Sequence, residues 1–227
     1  MDSLNLDADS AYNIKVTEFI ELNHKIEHGM ETYPGLSHVE VYEHLPRFDN
    51  RALIDGISLI GISGTYIDSP FHEDPNGNKI CDYPLEKLVH LPIVVVNKPT
   101  NRISFEIEDF QNISVKGKAV LLNSTHDKFF GKKEYGENVP YIAEDAAQYL
   151  VDNGAVLVGI DSPLVDNIET SAEAIPVHNI LLSNGLVICE DMTNIAAVAG
   201  KVAYLTAVPP RVPLASFPAR VFASVYA

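Results

Sequence analysis

Basic side chains are scarce in this chain: 16 Lys and Arg stand against 31 Asp and Glu, a formal net charge of -15 over 227 residues. Such an excess repels phosphate backbones and anionic membrane surfaces, so neither nucleic acid nor membrane is an expected partner and a small-molecule substrate is. Cysteine is almost missing too. Cys81 and Cys189 lie far apart without CxxC spacing, which excludes a disulfide framework and a thiolate zinc knuckle and fits a reducing cytoplasm. No apolar run reaches bilayer-spanning length, and Met1 to Leu6 lack the basic region and apolar core of a signal peptide. A soluble cytoplasmic protein is expected.

What is present suffices for one sizeable core, since 46% of the residues are hydrophobic. The Asp-, Ser- and Asn-rich start predicts a loose segment over 1–15 and a single domain over 16–227. Phe19 to Leu22 is a short strand candidate, and Tyr33-Pro34-Gly35 reads as a tight turn that puts Tyr33 on a loop. Ile57 to Ile62 is strand-like despite Ser58 and Gly61, which would start the following polar segment at a strand end. Leu91 to Val96, Ala119 to Leu122 and Ala155 to Ile160 are short apolar runs of the kind buried on both faces of a sheet. Ile142 to Asn153 carries helical spacing, with Gly154 as its C-cap. Pro176 to Leu182 reads as a second short helix, followed by a strand from Leu186 to Cys189; Val202 to Ala207 and Val221 to Tyr226 are two more strands.

Polar clusters close several of these apolar runs, which is where layered α/β folds place ligands. Asp68, His72, His178 and Glu190 stand out. Two carboxylates and an imidazole suit Zn²⁺ or Mn²⁺, while a second imidazole can move protons. Each also has a plainer reading: Asp68 before Ser-Pro can cap a turn, a histidine after Pro-Phe can be a hydrogen-bonded, partly buried side chain, and Glu190 can be a helix N-terminal charge. His126 and Asp127 follow the Ala119 to Leu122 strand, where substrate contact and a solvated loop both fit. Asp161 before Ser162-Pro163 reads equally as a turn cap, and Cys189 as a small core residue.

The stretch Gly64-Thr65-Tyr66-Ile67-Asp68-Ser69-Pro70-Phe71-His72 resembles the HxGTHxDxPxH signature of the metal-dependent cyclase family, which includes bacterial kynurenine formamidases. The likeness continues through Tyr33-Pro34-Gly35, through Val158-Gly159-Ile160-Asp161-Ser162-Pro163, and through His178 followed twelve positions later by Glu190. It implies a single-domain α/β swivelling β/β/α fold with a mixed sheet and helices packed to one side, in a homo-oligomer, dimer or tetramer. It also implies a two-metal site, in which the matching residues are Asp68, His178 and Glu190 as ligands and His72 as general acid/base. Two signature histidines are replaced by Ile62 and Tyr66. Isoleucine offers no donor and a neutral tyrosine is a poor ligand, so one ion of the pair, Zn or Mn, is the expected complement.

The resulting expectation is an arylformamidase-like hydrolase of a small amide or lactone, with metal-bound water and a His72 proton shuttle, and with Tyr33, Ile62 and His126 contacting substrate. Two alternatives stand beside it. One is a biosynthetic cyclase or dehydratase that uses Tyr66 and His72 without a full metal centre; the other is a non-catalytic small-molecule-binding homologue.

Overall fold

A computed structural model describes residues 15–31, 35–45 and 52–227; almost all of the expected loose segment over 1–15, and Tyr33 itself, lie outside the described residues. In chain order the elements are β1 (Val16–Glu21), β2 (Glu40–Leu45), β3 (Ile54–Ser58), β4 (Tyr66–Asp68), β5 (Leu91–Asn97), β6 (Ser104–Phe105), β7 (Ala119–Asn123), β8 (Tyr141–Ile142), α1 (Glu144–Asp152), β9 (Leu157–Ile160), α2 (Pro176–Ser183), β10 (Val187–Glu190), β11 (Ala203–Val208), β12 (Ser216–Pro218) and β13 (Arg220–Tyr226). Nine of these strands form one mixed sheet in the order β1-β13-β11-β5-β7-β9-β10-β4-β12. The middle strands β5, β7, β9 and β10 run parallel, and the flanking pairs are antiparallel.

Alternation along the central strands divides the core in two. Val120, Leu122, Val158, Ile160 and Ile188 point to one face, where Ala146, Ala147 and Leu150 of α1 and Val177, Leu181 and Leu182 of α2 cover them. Ala119, Leu121, Leu157, Val187 and Cys189 point to the other face and meet Ile20, Leu22, Leu205, Val221 and Ala223 from β1, β11, β13 and their borders. The sheet therefore covers its own second face. It turns at β5, which pairs with β11 through only Tyr204↔Pro92 and Leu205↔Leu91. This is the β/β/α layering with helices on one side. Cys189 is the small core residue expected of it.

Both helices form where the periodicity puts them, and each is followed by a glycine at positive φ, Gly154 at 73° and Gly185 at 75°. One strand assignment is corrected. Ile57 to Ile62 is not a strand leading into the polar segment: the strand is Ile54–Ser58, and it pairs with Glu40–Leu45 in a separate two-stranded hairpin. That hairpin leaves Val41, Tyr42, Leu45, Ile54 and Ile57 exposed. Asp68 lies instead within β4, a short strand wholly inside the main sheet. The interrupting Gly61 has a packing reason, because a Cβ there would sit 2.5 Å from the carbonyl oxygen of Ser216 on β12. β12 itself carries no strong sequence signal; Pro218 suits it because it is the edge strand, where a missing N–H costs nothing.

Replacing Gly61 with Ala forces a backbone shift rather than a rotamer change. The expected outcome is a loss of about 1–3 kcal/mol in urea unfolding, as for other overpacked sites. An unchanged midpoint would contradict the close approach of Gly61 to β12.

Candidate metal centre

Pairing of β4 with β10 fixes the centre. The register sets Asp68 opposite Ile188 and Tyr66 opposite Glu190. Because strand side chains alternate, Tyr66, Asp68, Ile188 and Glu190 share one face while Ile67 and Cys189 take the other. The shared face is the helix side. From there α2 presents His178 in its first turn, after Pro176, whose fixed φ suits a helix start.

The three predicted ligands converge. His178 Nε2 lies 3.3 Å from Glu190 Oε1 and 3.7 Å from Asp68 Oδ2, and the three ligand atoms fall within 4.8 Å of one another. All three residues are buried, Asp68 and Glu190 to 1% exposure. Asp166 orients the imidazole. Its Oδ2 faces Nδ1 at 2.6 Å and accepts the His178 backbone N–H at 3.0 Å, while Oδ1 accepts Val177 N–H at 2.7 Å. One carboxylate thus caps α2 at its positive end and turns Nε2 toward the other two acids.

The remaining acid oxygens are assigned. Ser216 Oγ donates to Asp68 Oδ1, Val165 N–H donates to Glu190 Oε1 at 2.6 Å, and the Tyr66 hydroxyl donates to Glu190 Oε2. Of the four oxygens of Asp68 and Glu190, only Asp68 Oδ2 is buried without a hydrogen-bond partner. An orphaned, desolvated carboxylate oxygen costs several kcal/mol, more than the roughly 1.5–3 kcal/mol that one charged hydrogen bond returns. A divalent cation resolves this: ligand atoms about 2.1 Å from an ion in tetrahedral geometry stand about 3.4 Å apart, close to the spacings from His178. The donor set fits such an ion.

Electrostatics point the same way. Burial works against a charged His178, but Glu190, Asp166 and Asp68 outweigh it and hold the imidazole well above its ordinary range. Burial pushes Glu190 upward against the pull of His178. Burial pushes Tyr66 well above an ordinary phenol, with Glu190, Asp68 and Asp191 adding to it. Tyr66 is therefore a hydrogen-bond donor to Glu190 and not a base.

His72 stands at the rim. It ends a short 3₁₀ turn after Asp68, is exposed, and has its ring centroid 5.6 Å from that of His178. Ile62 and Tyr66 line a cavity of about 540 Å³, together with Phe130, Tyr135, Pro163 and Asp191. His126 does not join them: it is buried with Nε2 on the Tyr135 carbonyl at 2.8 Å, and it borders a different hollow near Asn97 and Asn123. Asp161 does not bond its own Ser162-Pro163 turn but the loop after β7, accepting Ser124 and Thr125 N–H at 3.0 and 2.7 Å; burial raises its carboxyl to about 6. Sequence reasoning missed Asp166, Ser216, Tyr135 and Asp191. Asp166 stood in plain view ten residues before Pro176, but nothing in its spacing pairs it with His178. Ser216 becomes visible only once β12 is known.

Comparison with known proteins bears on the family and the fold. The sequence model of a family described as Putative cyclase matches residues 20–167. A kynurenine formamidase of Bacillus cereus is 26% identical over 182 residues, covering 79% of this chain and 84% of its own length. One of Geobacillus thermodenitrificans is 26% identical over 175 residues, covering 77% and 81%. Among solved structures, an isatin hydrolase bound to the product analogue thioisatinate superposes with a TM-score of 0.80 at 17% identity, covering 91% of both chains. A potential metal-dependent hydrolase with cyclase activity gives 0.77 at 23% identity, covering 91% of this chain and 96% of its own. These structures bear on the fold.

Asp166→Asn should weaken divalent-ion affinity roughly 10–100-fold, the usual effect of removing the partner that orients a ligand histidine. Titration of the purified protein with zinc or manganese checks it. Unchanged affinity would mean that His178 does not depend on Asp166 for its orientation.

Proposed function

The chain belongs to the putative cyclase family, and from that premise we propose that it is a metal-dependent hydrolase of a small-molecule amide, with formamides as the first substrate class and lactones as the second. The observation that carries the reading is the orphaned Asp68 Oδ2, set across an ion-sized gap from His178 Nε2 and Glu190 Oε1. Its kinship with kynurenine formamidases supports the choice of amide.

Asp68, His178 and Glu190 would hold one ion, Zn or Mn, since one nitrogen and two oxygens form a hard-to-borderline set. Bound there, such an ion supplies Lewis acidity toward a carbonyl and toward water. The chain's own groups do the rest. Tyr66 donates to Glu190 Oε2, and as a neutral phenol it is a poor ligand, while Ile62 offers no donor atom; both support a reading of one ion per chain. His72, exposed at the rim beside His178, would carry a proton to the leaving nitrogen as water adds to the carbonyl carbon and the C–N bond breaks. The cavity is of small-molecule size, and its apolar wall of Ile62, Phe130, Pro163 and Ile168 suits an aryl or alkyl body. Tyr33 and His126 would then have no established substrate contact, the first lying outside the described residues and the second outside this cavity.

The metal-free reading, with Tyr66 as acid or base, finds less support because the phenol hydrogen is committed to Glu190. No described helix is long and apolar enough to cross a membrane. A homo-oligomer, dimer or tetramer, is supported by the apolar side chains that the β2–β3 hairpin exposes, since a two-stranded hairpin is marginal by itself.

Formanilide hydrolysis is the direct assay. Turnover should vanish on exhaustive chelation and return with zinc or manganese, and His72→Ala should lower kcat about 10²–10⁴-fold at unchanged ion content. Equal turnover by the metal-free protein would overturn the proposal.

A further inference from the structure

Asp191 is the unusual member of the cavity wall. It follows directly on β10 and holds a left-handed backbone, φ 53°, a conformation that Asp and Asn tolerate better than other side chains. Two hydrogen bonds keep it there. Its N–H donates to the Ser162 carbonyl at 3.1 Å, and its carbonyl accepts the Thr65 hydroxyl. Asp191 lines the cavity together with Tyr66, Tyr135 and Ile168.

The two carboxylate oxygens are not equivalent. Oδ1 accepts the Tyr135 hydroxyl at 2.5 Å. Oδ2 has no hydrogen-bond partner among the described residues, yet it is not among the fully sealed orphans, which are His24 Nε2 and Asp68 Oδ2. Asp191 is only 9% exposed. Asp191 lines the cavity, whose wall also carries Glu31, Lys132 and Lys133, and Oδ2 is the one carboxylate oxygen of Asp191 left without a partner among the described residues. Leaving such an acceptor unmet beside a bound ligand costs affinity, which is how buried polar groups reject the wrong ligand.

We propose that Asp191, braced by Tyr135, is a specificity residue that accepts a hydrogen bond from an N–H of the bound molecule, so that the site favours secondary amides and lactams over their N-alkylated analogues. The inference rests on the amide-hydrolase reading for what the bound molecule becomes, but the acceptor itself is a binding feature and can be tested by binding alone. In this role Asp191 orients the nitrogen that will leave.

The test uses the zinc-loaded protein, with oxindole and N-methyloxindole as rigid ligands that differ at one N–H, and with formanilide and N-methylformanilide as the matching substrates. Wild type should bind oxindole about tenfold or more tighter than N-methyloxindole. In Asp191→Asn, the amide suits the left-handed backbone, its carbonyl oxygen can still receive the Tyr135 hydroxyl, and an NH₂ then replaces the acceptor. The preference should collapse to about twofold or less. A merely structural role would lower both affinities and leave their ratio alone. Tyr135→Phe, which frees Oδ1 and loosens the brace, should narrow the ratio partway and serves if Asp191→Asn does not fold. Equal affinities in wild type, no detectable binding of oxindole, or an unchanged ratio in the folded variants would overturn the proposal. If the binding preference appears but neither formamide is hydrolysed, the hydrolase reading fails and this one stands; if both formamides are hydrolysed alike and the lactams bind alike, the reverse holds.

Discussion

Asp68 and Glu190 are two carboxylates withdrawn from water at adjacent strand ends, and much of the local structure answers the cost of keeping them there. Uncompensated, a buried charge costs several kcal/mol, a large share of the stability of a domain this size. The chain compensates three of the four oxygens internally, through Ser216, Val165 and Tyr66. The fourth, Asp68 Oδ2, is left facing His178. Burial works against a charged His178, but Glu190, Asp166 and Asp68 hold its imidazole above the ordinary range.

From this constraint the architecture follows. A side-chain period of two puts Asp68 and Glu190 on one face only if β4 and β10 keep their register, and the helix side is the only layer that can bring His178 to them. Asp166 is then required twice, for the helix end and for the ring. The edge strand β12 is required for Ser216, and Gly61 for the approach of β12. Stability and site are the same set of contacts here. Residues 61, 166 and 216, distant in sequence, thus bear on one cluster of side chains.

The elements with strong local signals were legible in the sequence: the buried runs that became β5, β7, β9 and β10, both helices, and the pairing of His178 with Glu190 across a helix-turn-strand unit. Asp68, His178 and Glu190, which the fold brings together, were singled out through the resemblance to the family signature and not through spacing. Illegible parts share a physical cause. β4 is three residues long and β12 is another three, so neither shows a period, and both exist because neighbouring strands pair with them. Asp166, Ser216 and Asp191 act through long-range contacts, spanning 148 positions between Ser216 and Asp68, for which sequence carries no local mark. His126 sits in a polar cluster after a buried strand, and its ring nitrogen is taken up by the Tyr135 carbonyl, a contact with no local mark in the sequence.

Ile62 and Tyr66 stand where the resembled signature has histidines; Tyr66 donates to Glu190 Oε2, and both line the cavity. The claim that the centre is built for a single ion is tested most directly by anomalous diffraction from crystals grown with zinc or manganese. The account predicts one peak within about 2.0–2.2 Å of Asp68 Oδ2, His178 Nε2 and a Glu190 oxygen, with Tyr66 still on Glu190. No peak at those atoms, or a second ion displacing the Tyr66 hydroxyl, would contradict it.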